Sequence, residues 1–256
     1  MTYTVSAVDR ALALLEVLAE HPNIGVTELA DRTGNTKSLV FRLLYTLERR
    51  GYVQKDPATR TYGLGYRPLY LADHASHQSR LIMAAQPYLD ALAERTHENI
   101  FLLVRDETHS VCVAMRESPQ PLSLSAQVGR RSPLHAGGGP KILLAYAPDE
   151  VRRSVLEHDL PGFTPTSITD PKTLARALAE IRANGFTKSV GEVDRDAFSL
   201  AAPVRDHTGV VAALSVAGPV SRLTDALADQ YVGSVRDAAA GLSADLGYAE
   251  RRVAAR

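Results

Sequence analysis

The 256-residue chain contains a single cysteine, Cys112, so no disulfide can form within it. It has no apolar run of roughly 18 or more residues, so no transmembrane helix is expected. The N-terminus lacks a basic segment followed by an apolar one, so no signal peptide of the usual kind is expected. With these absences, the expected compartment is the cytoplasm. The chain also lacks an excess of either charge: 29 basic residues stand against 29 acidic ones. Nor does it contain G-x-S-x-G, H-E-x-x-H, C-x-x-C or G-x-G-x-x-G, so the commonest catalytic and cofactor-binding signatures are missing. His97-Glu98 is followed by Asn-Ile-Phe, so no second histidine completes a zinc pair. No enzyme activity, metal or cofactor is expected.

What remains is ordinary globular usage: 45% apolar and 23% charged residues. The length fits one large domain or two small ones. Zero net charge at first argues against a nucleic-acid partner. Its distribution weakens that objection. Residues 1–72 carry nine Lys/Arg and seven Asp/Glu, and Lys37, Arg42, Arg49 and Arg50 fall within 35–50 with Glu48 as the only acid.

The first 65 residues read as three short helices and a hairpin. Ser6 is the expected cap of the first helix, whose apolar positions are Val8, Ala11, Leu12, Leu15 and Leu18. Pro22-Asn23 breaks it. Thr27 is the expected cap of the second, which Gly34 ends. Asn35 or Thr36 would cap the third, with Val40, Leu43, Leu44 and Leu47 inward. Lys37, Ser38, Phe41, Arg42 and Tyr45 fall largely opposite that stripe. They are cationic, hydroxylic and aromatic groups suited to phosphates and base edges. After Gly51, residues 52–55 and 60–64 read as strands around the turn 56–59. This is the pattern of a winged helix-turn-helix, with helix 36–49 in the major groove and Arg60 near the wing tip. A small helical protein-docking domain is the alternative.

Several blocks in order carry a resemblance: SAVDRALALL (6–15), VTELA (26–30), SLVFRLLYTL (38–47), GYV (51–53) and YGLG (62–65). They resemble the DNA-binding domain of IclR-type bacterial regulators. With the winged-helix reading, the expected DNA-binding positions are Thr27, Asn35, Thr36, Lys37, Ser38, Arg42, Tyr45 and Arg60. The resemblance also implies that 66–80 is a linker helix contributing to dimerisation. His74 and His77 lie i, i+3 on that helix. They are read as a solvated face, because no carboxylate or cysteine completes a metal site.

Residues 81–256 read as an α+β domain with a mostly antiparallel sheet. Helices are expected at 84–95, 171–184 and 224–246. Strands are expected at 99–104, 111–115, 122–126, 186–190, 198–204 and 210–217. Gly137-Gly138-Gly139 leads through Pro140, expected at the first helical position, into Lys141-Ile-Leu-Leu-Ala145. A Gly-rich loop entering a helix is either an anion site or a tight turn needing glycine for backbone reasons. The segment is not a P-loop, and a carboxylate suits it better than a triphosphate. Cys112 reads as a buried core thiol, and His135 as a positioned loop residue.

The blocks HAGGGPKILLA (135–145), LAAPV (200–204) and LSVAGP (214–219) extend the resemblance over nearly the whole chain. It implies a GAF-like effector domain. Its implied effector contacts are Leu124, Gly138, Gly139, Pro140, Lys141, Ser189, Glu192, Ser199, Ser215 and Ala217. Pro140 departs from the family pattern, which has glycine before that lysine, so effector identity does not carry over.

The domain expectation is therefore 1–65 for DNA binding, 66–80 as linker, and 81–256 for effector binding and oligomerisation. The functional expectation is a sequence-specific regulator, repressor before activator, acting as a homodimer or dimer of dimers on a near-palindromic DNA operator. A small organic acid would control it. The rival is a GAF-like small-molecule enzyme or sensor whose helical N-terminus docks a protein.

Overall fold

The computed structural model describes residues 3–122, 124 and 127–249. The chain divides into two compact units, one ending at Gln78 and one beginning at Ser79.

The first unit contains α1 (Ser6–Glu20), α2 (Val26–Thr33), α3 (Lys37–Arg49), β1 (Val53–Lys55), β2 (Tyr62–Leu64) and α4 (Arg67–Gln78). Its core joins Leu14 and Leu18 to Leu29, Val40, Leu44, Val53 and Tyr62. Burial of this apolar stripe holds the three helices together, since none is long enough to be stable alone. Two cap expectations are corrected. Ser6 is the first helical residue, and Val5 caps α1 with its backbone alone. Thr27 lies inside α2, where Gly25 is the N-cap and its carbonyl accepts from the Leu29 amide at 3.0 Å. The α1 stripe also shifts. Leu14 and Leu18 are buried, whereas Val8 and Leu12 are exposed.

Of the two candidate caps of α3, Thr36 is the one used. Its hydroxyl accepts from the Leu39 amide at 3.3 Å, while the Asn35 side chain turns back to the Thr33 carbonyl. The helix ends as expected at Gly51, φ +74°. The Gly51 amide bonds Glu48 O and the Tyr52 amide bonds Leu47 O, a Schellman closure that a left-handed glycine permits. β1 and β2 pair antiparallel, with Asp56 Oδ1 accepting from the Ala58 amide in the turn between them.

The second unit contains α5 (Arg80–Thr96), β3 (Asn99–Asp106), β4 (His109–Arg116), β5 (Arg131–Pro133), α6 (Gly138–Ala145), α7 (Asp149–Glu157), α8 (Pro171–Asn184), β6 (Thr187–Val190), β7 (Ala197–Asp206), β8 (Gly209–Pro219), a 3₁₀ turn (Val220–Arg222) and α9 (Asp225–Asp245). The six strands form one sheet in the order β5-β4-β3-β8-β7-β6, antiparallel throughout. Alternate residues of the central strands serve opposite faces. Leu200, Ala202, Leu214 and Val216 pack under α5 and α9. Ala201 and Ala213 pack under α6, α7 and α8.

Ser79 separates α4 from α5 and caps the latter, its hydroxyl accepting from Ile82 N at 3.3 Å. The helix expected at 84–95 thus begins at Arg80. Pro140 is corrected from the first to the third helical position, since Gly138 and Gly139 already lie inside α6. Proline is tolerated there because first-turn amides have no acceptor in their own helix. The strand expected at 122–126 falls partly on residues 123, 125 and 126, which lie outside the described residues. Leu122 and Leu124 are not in a strand. The sequence reading did not include α7 and β5, which are both short.

Candidate functional site

Two regions collect the candidate residues, one in each unit. On α3, Lys37, Ser38, Phe41, Arg42 and Tyr45 are all exposed, on the side away from buried Val40 and Leu44. The separation follows from helical geometry, because Val40 and Leu44 are one turn apart on the core face. Among the described residues neither Lys37 nor Arg42 pairs with an acid, so both charges are available to phosphates or base edges. Arg49 lies over the Tyr45 ring at 5.9 Å. Thr36 serves as the α3 cap and Thr27 is exposed on α2. Asn35 is half-buried and engaged with the backbone. Arg60 is exposed in the β1–β2 turn with φ +59°.

In the second unit a cavity of about 760 Å³ lies on the α6 side of the sheet. Leu124, Gly138, Pro140, Ser189, Glu192, Ser199, Ser215 and Ala217 line it. Gly139 and Lys141 do not. Gly139 is pressed against β3, where an added Cβ would lie 2.2 Å from Leu103 Cδ1. Lys141 is buried, and its Nζ is ion-paired with Glu192.

The floor of the cavity is set by strand register. Phe101 pairs with Ser215, Ala201 with Ser215, and Ser199 with Ala217, so these side chains fall on one face. Ser199 Oγ and Ser215 Oγ share a hydrogen bond of 2.9 Å. Phe101 and Leu103 supply apolar wall, and Ser110, Cys112, Gln127, Arg130 and Ser132 line it further. None of these was a candidate from sequence. The available signal was the period-2 alternation of the strands, which places Phe101 with Leu103 and Ser110 with Cys112.

Glu192 connects the cavity to α6. Its carboxylate accepts from the Gly137 amide at 3.3 Å and pairs with Lys141. The charge of Glu192 therefore sits at the positive end of the helix dipole and beside a buried ammonium, where both stabilise it. Asp194 and Asp196 lie at the exposed edge, where solvent and salt screen them. His135 is buried, with Nε2 2.9 Å from Pro161 O and its ring stacked on Phe163 at 5.9 Å. No cluster of three metal-ligating side chains occurs among the described residues.

Burial pushes the Cys112 thiol up to about 11, so it stays protonated although it borders the cavity. At pH 8 its alkylation in the native protein should be about two orders of magnitude slower than that of an unfolded-chain thiol. Timed labelling with and without denaturant measures this, and equal rates would contradict it.

A winged helix-turn-helix whose third helix presents an exposed polar face, joined to a second unit holding a cavity, defines a class: DNA-binding transcription regulators with a ligand domain. The comparisons with known proteins agree. Residues 7–57 match the IclR helix-turn-helix domain, and residues 73–244 match the bacterial transcriptional regulator IclR C-terminal model. The chain belongs to the IclR family of bacterial transcriptional regulators. It is 32% identical over 247 residues to the HTH-type transcriptional regulator KdgR of Escherichia coli (strain K12), covering 96% of this chain and 94% of that protein. The crystal structure of an IclR transcriptional regulator from Alicyclobacillus acidocaldarius is 29% identical, with a TM-score of 0.89 over 96% of this chain and 100% of that one. An IclR homolog from Microbacterium hydrocarbonoxydans, solved in complex with 4-hydroxybenzoate, is 27% identical with a TM-score of 0.83 over 94% and 98% of the two chains. The protein is thus a DNA-binding regulator of transcription rather than an enzyme. No helix among the described residues is long and apolar enough to cross a membrane.

Proposed function

We propose that the chain is a cytoplasmic repressor whose affinity for its operator is controlled by a small organic acid. Residues 1–65 would read DNA, 66–80 would connect, and 81–256 would bind the effector and oligomerise. A homodimer, or a dimer of such dimers, would place two copies of α3 in successive major grooves of a near-palindromic site. The observation that carries this reading is the exposed, unpaired Lys37–Arg42 face of α3. The cavity supports the second half. Its volume of about 760 Å³ fits a small molecule, and its walls mix apolar surface with a few hydroxyls. The ligand-bound relative from Microbacterium hydrocarbonoxydans makes an aromatic acid a reasonable member of the first panel to test.

The effector changes the operator-binding equilibrium only by its differential affinity for two states of the regulator. The direct test is a gel shift with the DNA upstream of the protein's own gene, with and without a panel of small carboxylic and aromatic acids. Arg42→Ala should weaken specific binding by about 1–3 kcal/mol and relax preference at one base pair. Unchanged affinity and unchanged preference would remove Arg42 from the reading face.

A further inference from the structure

The cavity already contains an anion, contributed by the chain itself. Glu192 lines it, yet its carboxylate is directed to the α6 N-terminus, where the Gly137 amide donates to Oε2 at 3.3 Å and Lys141 pairs with Oε1. Both side chains are more than nine-tenths buried. We infer that Glu192 is a resident occupant of the cavity's anion-binding end, and that a carboxylate-bearing effector binds there by displacing it. This rests on the reading of the cavity as the effector site.

Three observations carry the inference. First, Lys141 is 3% exposed, and a buried ammonium needs a counter-charge. An entering carboxylate can supply that charge as Glu192 leaves, so the number of charges around Lys141 is conserved. A neutral ligand cannot make the same exchange. Second, the Glu192 main chain is held independently of its side chain. Thr164 and Thr166 donate to the Gly191 carbonyl at 2.5 and 2.7 Å, and Ser167 donates to the Glu192 carbonyl at 2.6 Å. The carboxylate can therefore leave by side-chain rotation with the loop in place. Third, the next residues, 193–196, are exposed, so solvent lies within reach of the released group.

The test uses the full chain and acetate as the probe. Glu192→Ala leaves the seat empty and Lys141 without its partner. Acetate at about 50 mM should then raise the melting temperature of this variant by several degrees over sodium chloride of equal ionic strength. The wild type should not respond, and adding Lys141→Met should abolish the response. Equal acetate responses in wild type and Glu192→Ala, or none in the variant, overturn the inference. Should Glu192→Ala fail to fold, Glu192→Gln keeps the volume but cannot neutralise Lys141. Calorimetry should then show acetate binding about tenfold tighter than to wild type. Unchanged or weaker binding overturns the inference, because it would mean that Glu192 does not compete with an entering carboxylate. The effector reading fails separately, if no acid of the panel alters operator binding while acetate still restores Glu192→Ala.

Discussion

Arg222→Ala should lower the stability of the second unit by about 3 kcal/mol and weaken ligand binding in the cavity with it. The reason lies in Glu98, which is 2% exposed and immediately precedes β3. Its carboxylate is held by Arg222 in a bidentate pair, with Nε donating to Oε1 at 2.7 Å and Nη2 to Oε2 at 2.5 Å. The pair in turn raises the Arg222 guanidinium above its ordinary range. The surroundings leave the carboxylate little room. A Cβ on Gly218 would lie 2.3 Å from Oε2, and burial and the Glu98 charge together raise the Tyr231 phenol. Removing the guanidinium leaves a buried carboxylate with no other side-chain partner among the described residues, and that uncompensated charge is the cost.

A link to the cavity runs through the third guanidinium nitrogen. Nη1 donates to the Leu122 carbonyl at 2.7 Å, and Leu122 is part of the cavity wall. Urea titration of the full chain, followed through the transition of the second unit, measures the stability loss. Replacing both residues together, Glu98→Met with Arg222→Met, should recover much of it, since no buried charge is then left alone. A double variant as unstable as Arg222→Ala would show that packing, not the stranded charge, was responsible.

How much of this was legible in the sequence depends on the range of the interaction. The exposed polar face of α3 is set within four turns of one helix, so Lys37, Ser38, Arg42 and Tyr45 could be placed on it from spacing alone. The Schellman closure at Gly51 and the Asp170 cap of α8, which accepts from Thr173 N at 2.8 Å, are equally local. The misplaced caps show the limit of that logic. Gly25 and Val5 cap with backbone groups, which no side-chain preference announces, so Thr27 and Ser6 attracted the assignment instead.

The cavity was legible only in part. Ser199, Ser215 and Glu192 came from the resemblance. Phe101 and Cys112 did not, because their convergence depends on the β4–β3–β8–β7 register, which joins residues about a hundred positions apart. Lys141 was expected as an effector contact. Its actual partner is Glu192, 51 residues later, and no local pattern encodes that pairing.

Gly138→Ala should largely abolish ligand binding and should destabilise the second unit by up to about 3 kcal/mol, the upper range for overpacking. The backbone at Gly138 is helical, so conformational strain is not the cause. The cause is proximity. An added Cβ would lie 2.6 Å from Ser199 Oγ and 2.7 Å from the Ser199 carbonyl oxygen. A hydroxyl can rotate away, but a carbonyl of β7 cannot, because β7 is paired on both sides with β6 and β8. α6 must therefore withdraw from the sheet. Its first turn would then leave the Ser199–Ser215 hydroxyl pair and shift the Gly137 amide that holds Glu192. Both polar ends of the cavity would be disturbed by one methyl group. Operator binding without ligand should persist, because α3 belongs to the other unit. The check is paired: the gel shift should be retained, while any acid of the panel that alters operator binding by the wild type should no longer alter binding by the variant. A variant that melts like wild type and keeps its full response to the effector would mean that α6 does not approach β7 this closely in solution.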